Sequence, residues 1–241
     1  MFCSLIIDSL LHPTISIMSR GSSVPTAAQF FKSIPWCADL LSRPDVVPFI
    51  PTCRLEGEDA VRARTQDLLF RRSLNNAESV PHCIGFYRDP ASATMSTQST
   101  TLASPLGTPT LYVNSASLLF DLRPGVNGFN GTAHGGLIAS LIDEAMGSLI
   151  LINHIVQGQH EKEGRSLPPG TLDLNNLRVF TASMNVRFQK PVPTPRIVLV
   201  TATFVKTEGR KIFLDVRVED ENGIENARCD GLWLSLPLQK V

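Results

Sequence analysis

The stretch NGFNGTAHGGLIASLIDEAMGSLI, Asn127 to Ile150, constrains this chain more than any other. From Leu137 onward it reads as a helix that is apolar on nearly every side, so most of its surface must be buried. Yet Asp143 and Glu144 stand in its middle, downstream of His134-Gly135-Gly136. Around Asp143 lie Ile138, Ala139, Leu141, Ile142, Ala145 and Met146. An unpaired carboxylate in such surroundings is costly, so Asp143 must be paired, protonated or turned toward a polar cavity. It is either a structural carboxylate bonded to backbone or an arginine, or a general base or nucleophile at the lip of a pocket. The helix pattern alone leaves both readings open. Glu144 is turned about 100° from Asp143 on a helix and is read as facing solvent, a neighbouring strand or a salt partner.

The residues after this helix read as strands. VFTASMNVRFQKP (Val179 to Pro191) and RIVLVTATFVKT (Arg196 to Thr207) are two of them. In KIFLDVRVED, Ile212, Leu214, Val216 and Val218 alternate with Phe213, Asp215, Arg217 and Glu219, the period of a half-buried antiparallel strand. Glu208-Gly209 and Asn222-Gly223 are hairpin signals on either side of it. ARCDGLWLSLPL finishes the series, and TLYVNSASLLFDL precedes the helix as a further strand. An α+β fold follows, an antiparallel sheet wrapped around one long central helix. The polar segment NHIVQGQHEKEGRSLPPGTLDLNNLR is expected to form an exposed connection with at most one extra helical turn.

Three regions are expected. Residues 1–30 read as a flexible tail, 31–109 as a helical and loop extension, and 110–241 as the domain carrying the sheet. In the extension, Glu56 to Asn76 has the charge and apolar spacing of a surface helix, and the Ser/Thr/Pro-rich Pro90 to Pro109 reads as a mobile loop.

Composition narrows the function. Lys plus Arg and Asp plus Glu number 22 each, which gives no support to nucleic-acid binding. An apolar fraction of 43% suits a globular core. No apolar run reads as long enough to span a bilayer. Cys3, Cys37, Cys53, Cys83 and Cys229 are widely spaced without a Cys-x-x-Cys pair, and His12, His82, His154 and His160 are scattered. No metal site or disulfide framework is expected, and a reducing, cytoplasmic compartment is favoured, with mitochondrial import the alternative. Ser140 lacks a nucleophile elbow, and Arg123 to Gly131 has no dinucleotide fingerprint.

His134-Gly135-Gly136 precedes the helix, so its backbone N–H groups sit at the positive end of the dipole, where they can hold a developing negative charge. Gly135 and Asp143 are roughly 12 Å apart along one helix. If both serve one reaction, they must come from different subunits, with two helices side by side.

NGTAHGGLIASLIDEAMG together with VFTASMNVRFQKPVP resembles the hotdog-fold thioesterases, in particular the acyl-CoA thioesterase branch that includes the human thioesterase superfamily members four and five. The match covers about Thr110 to Pro237, and the upstream FFKSIPWCADLL is similar to the N-terminal region of fungal members of the branch. The resemblance implies a hotdog fold and hydrolysis of an acyl thioester of coenzyme A or of a carrier protein, without metal or other cofactor, in a homodimer or dimer of dimers. It implies that Asp143 is the nucleophile or general base, that Gly135 polarises the thioester carbonyl and that His134 shapes the same turn. It implies that Thr181 holds the attacking water; without it, Thr181 is a β-favouring residue in a strand. Related enzymes often carry an asparagine six residues before the histidine. Here that position is Gly128, flanked by Asn127 and Asn130, which with Gly136 are the substrate-binding candidates. Arg187, Lys190 and Arg196 are candidates for coenzyme A phosphates or simple surface cations. Rival readings are a biosynthetic thioesterase that releases a polyketide or fatty acyl chain from a carrier, and an acyl-binding module without hydrolysis.

Overall fold

The computed structural model describes residues 26–55, 67–93 and 108–238. Helices α1 (Ala27–Lys32) and α2 (Pro35–Leu41) come first, then strand β1 (Val46–Phe49), a 3-10 turn (Thr52–Arg54), a π-helical turn (Leu69–Ser73), β2 (Cys83–Arg88) and the short α3 (Pro90–Ala93). There follow β3 (Ser115–Leu122), the small strands β4 (Asn127–Phe129) and β5 (Thr132–Ala133), and the long helix α4 (Gly135–Lys162). Strands β6 (Leu177–Phe188), β7 (Arg196–Glu208), β8 (Lys211–Glu219) and β9 (Glu225–Pro237) complete the chain.

Seven strands form one antiparallel sheet in the order β1-β2-β3-β7-β8-β9-β6. In β8 the expected alternation holds. Ile212, Leu214, Val216 and Val218 join the core against α4. The hairpins on either side turn at Gly209 (φ 58°) and Gly223 (φ 71°), a left-handed conformation that a side chain disfavours. β3 is buried on both faces. Ala116, Leu118, Phe120 and Leu122 face the α4 core, while Leu119 packs with Phe31, Cys37 and Leu41 of α1 and α2 on the other side. This explains its unbroken apolar run. At β9 the helix comes so close that a Cβ on Gly231 would lie 2.3 Å from Met146 Sδ.

Several expectations change. The described residues of 31–109 are not helices and loops alone: β1 and β2 extend the sheet, β1 pairing with β2 and β2 with β3. Their apolar residues alternate over too few positions to stand out between the prolines. The surface helix expected over Glu56 to Asn76 lies largely outside the described residues, and only the π-helical turn appears in it. Of the expected loop Pro90 to Pro109, the described residues include α3. Of the expected exposed connection, Asn153 to Arg178, the first part is instead α4 carried on to Lys162, while the chain from Glu163 to β6 is turn and loop and largely exposed, as expected. Two buried amides make this workable. Asn153 accepts from Val113 N (2.8 Å) and donates to Val113 O (2.8 Å) and Leu149 O (2.9 Å). Gln157 donates to Leu172 O (2.9 Å) and accepts from Leu174 N (2.8 Å). Polar residues that read as solvent-facing thus tie the incoming and outgoing chain to the helix. At 28 residues α4 is long and apolar enough to cross a bilayer by length and composition, contrary to the reading of the sequence, but its apolar side chains are packed beneath the sheet.

Candidate active site

His134 caps α4. Its backbone is extended (φ −64°, ψ 133°), and its Nδ1 accepts the Gly136 N–H at 2.9 Å. An accepting Nδ1 puts the neutral ring's proton on Nε2. Gly136 therefore spends its donor inside the cap. The Gly135 N–H has no acceptor among the described residues. The cap is held from behind by His134 N–H to Val126 O (2.9 Å) and Ala133 N–H to Val192 O (2.9 Å).

Asp143 lies two turns further along α4 and is half-buried. Thr181 of β6 donates its hydroxyl to Asp143 Oδ1 at 2.8 Å. The second carboxylate oxygen has no hydrogen-bond partner among the described residues. Burial raises the Asp143 pKa above the usual carboxylate value, and the Thr181 bond partly offsets this. Thr181 continues the inward face of Leu177 and Val179, and a break in strand register between Thr181 and Ser183 shifts that face to Met184 and Val186 beyond it.

Glu144 points elsewhere. Burial raises its pKa to about 7. A hydrogen bond from Cys53 on the 3-10 turn lowers it, the nearby charges of Asp67 and Asp143 raise it, and that of Arg54 lowers it. Arg54 donates to Val80 O at 2.7 Å, and its Nε and Nη1 have no partner among the described residues. Of the alternatives for Glu144, a direct ion pair is not found among the described residues, and its half-buried side chain meets Cys53 on the 3-10 turn of the extension rather than open solvent. Cys53 and Cys83 are free and buried, which pushes both thiols up.

A cleft of about 320 Å³ flanks the start of α4, lined by Gly135, Ile138, Phe188, Lys190, Val192 and Asn226 among others. Gly128 packs tightly on the cap: a Cβ there would lie 2.5 Å from the His134 ring. No asparagine fits that position without a shift. Asn127 instead accepts a hydrogen bond from Thr194, and Asn130 is exposed on the β4–β5 turn; neither lines the cleft. Arg187 pairs with Asp230 (2.8 Å), and Arg196 with Asp220 (2.9 Å) and Glu221 (3.3 Å). Of the three candidate cations, Lys190 is the one at the cleft. Asn226, which no motif or spacing in the sequence marked, also reaches it.

The structure joins Asp143 to Thr181 and His134 to Gly136, at two places on α4. Comparison with known proteins supplies the kinship. Residues 130–227 match the family described as thioesterase superfamily. The chain is 30% identical over 174 residues to Verlamelin biosynthesis protein B of a Lecanicillium species, covering 69% of this chain and 71% of that protein. It is 31% identical over 124 residues to acyl-coenzyme A thioesterase THEM4 of Bos taurus, covering 51% of this chain but 41% of that relative. A hypothetical thioesterase protein from Streptococcus pneumoniae, crystallised with coenzyme A, aligns over 55% of this chain and 90% of its own at 11% identity, with a TM-score of 0.41. By its sequence matches and its helix-and-sheet architecture, the chain belongs to the thioesterase superfamily and has the hotdog fold.

Proposed function

We propose that the protein hydrolyses acyl thioesters, with coenzyme A or a carrier-bound phosphopantetheine as the thiol half, at a site shared between two protomers. The observation that carries this reading is the Thr181–Asp143 pair: a half-buried carboxylate with one oxygen fixed at 2.8 Å and the other unengaged by described residues. A water between that free oxygen and the Thr181 hydroxyl oxygen would be held at both hydrogens. Asp143 takes one proton as the water oxygen attacks the carbonyl carbon. The oxyanion is held by the N–H of Gly135 of the partner subunit. The C–S bond then breaks, and the proton returns from Asp143 to the thiolate, leaving acid and thiol. Asp143 acting as nucleophile, through an anhydride that water then opens, uses the same groups.

Two protomers are invoked because helix geometry separates Gly135 from Asp143 by roughly 12 Å along α4. Two features support an interface. β6 pairs only with β9 among the described residues, leaving a 12-residue strand with an open edge. Phe129 and Phe188, beside the cap, are 80% and 59% exposed. Lys190 at the cleft is suited to a phosphate of the thiol half.

Similarity to Verlamelin biosynthesis protein B favours a second reading of the same chemistry, release of an acyl chain from a carrier protein in a biosynthetic assembly. Thiol release from an acyl-CoA series, and from the same acyl groups on a carrier protein, tests both. Turnover lost in Asp143→Asn supports hydrolysis at this site. Absence of thiol release from either substrate set leaves an acyl-binding module.

A further inference from the structure

Asn226, the second residue of β9, is held at three points. Its carbonyl accepts the backbone N–H groups of Gln189 (2.8 Å) and Lys190 (3.0 Å), and its Nδ2 donates to Pro191 O (3.0 Å). The residue is 3% exposed, and its Oδ1 is buried without a partner among the described residues. Turning the amide over does not relieve this. It would set Oδ1 against the Pro191 carbonyl, acceptor against acceptor, and leave a buried NH2 group without a partner instead. A fixed, buried acceptor that the fold leaves open is costly, and such groups are retained where something else donates to them. Asn226 and Gly135 line the same cleft.

Among the described residues that line the cleft, the Gly135 N–H is an unused backbone donor and Asn226 Oδ1 an unused buried side-chain acceptor. A pantetheine thioester offers their complements a few bonds apart. Its thioester carbonyl accepts, and the amide N–H on the far side of the sulfur donates. A saturated acyl chain has no donor to give. We infer that Asn226 Oδ1 accepts a hydrogen bond from the pantetheine amide nearest the sulfur while the Gly135 N–H holds the thioester carbonyl, which makes Asn226 a specificity-determining residue for the thiol half. This rests on the hydrolytic reading above. Coenzyme A and carrier proteins present the same amide, so Asn226 selects the shared arm and does not distinguish them.

Two small thioesters with one acyl group isolate the contact. The N-acetylcysteamine thioester keeps the amide N–H. The thioester of O-acetyl mercaptoethanol replaces that N–H with oxygen at nearly the same shape. The wild-type protein is expected to cleave the amide with kcat/KM on the order of 10-fold above the ester, because a site built around a hydrogen bond rejects a partner lacking it. Asn226→Leu should slow the amide substrate alone and bring the ratio near one. A purely structural Asn226 would slow both substrates equally, and that result overturns the assignment. So does a wild-type protein indifferent to the exchange, a comparison that needs no folded variant. Acyl-CoA cleaved with neither small thioester touched also overturns it. Failure to cleave acyl-CoA, carrier-bound acyl groups and both small thioesters removes the hydrolytic reading and this inference with it.

Discussion

Asp143 and Glu144 are neighbours on one helix, yet the two faces of α4 that carry them are built differently. Asp143 looks toward β6, the last strand of the sheet, where a single hydroxyl meets it and one oxygen stays unengaged by described residues. Glu144 looks toward the turn that β1 leads into, where protein closes over its carboxyl and Cys53 bonds it. Burial raises both pKa values, but the Glu144 carboxyl is met by a covering thiol, whereas Asp143 keeps one oxygen unengaged by described residues. A shifted carboxylate therefore does not by itself mark chemistry; what the group can reach does.

The largest expected effect separates the two faces. Asp143→Asn keeps the shape and removes the carboxylate that the proposed mechanism uses, so kcat should fall by about 10³-fold or more in a thiol-release assay. Glu144→Gln should turn over near the wild-type rate. Equal losses in both variants would erase the distinction. Next is Gly135→Pro. Proline suits the first position of a helix after an extended residue, and His134 is extended. A Cβ at Gly135 meets only the Phe188 ring, at 3.5 Å. The substitution thus deletes one N–H with little disturbance, and kcat should fall about 10²- to 10³-fold, the loss of an oxyanion donor.

Glu144→Gln has its main effect on stability. With a folded pKa of about 7 against 4.5, the neutral form is favoured in the folded state. Below the unfolded value both states are protonated and nothing is lost. Between the two values the unfolded chain ionises first, so wild-type stability falls as pH rises, and above about 7 the loss is complete. Glu144→Gln should therefore be more stable than wild type at pH 8, by on the order of 3 kcal/mol, with the gain vanishing near pH 4 in denaturant melts. A gain that grows at low pH would contradict the buried-acid description. The smallest effect belongs to Thr181→Val, about 10-fold in kcat through loss of one hydrogen bond. If Asp143 acts as a base, the acidic limb of kcat/KM against pH reports its ionisation. Removing the bond that lowers its pKa should move that limb to higher pH.

The fold was legible where pattern repeats. β8 alternates cleanly, the hairpin glycines fall where expected, and α4 is marked by its apolar run. The rest was hidden by context. β1 is four residues long and contains Pro48, so its membership of the sheet depends on β2 beside it. Asn153 and Gln157 read as polar surface, because only the fold shows which backbone groups they satisfy. At the site, Asp143 was marked by its apolar neighbours and Gly135 by its place before a helix. Thr181 drew its meaning from family resemblance, since a threonine in a strand says nothing about what lies opposite. Asn226 left no signal, being distinguished by a missing partner. Glu144 was misjudged because the turn that covers it is far away in sequence.

Whether one site spans two protomers is tested most directly by mixing two inactive variants. Asp143→Asn and Gly135→Pro chains, unfolded together and refolded, form mixed dimers in which one site is doubly damaged and the other is intact. Activity should return to about one quarter of the wild-type level, from half of the dimers with half of their sites working. If Asp143 and Gly135 of the same chain served each site, every site in every mixture would carry a lesion. A mixture as inactive as its parents, with mixed dimers shown to be present, would contradict the shared site.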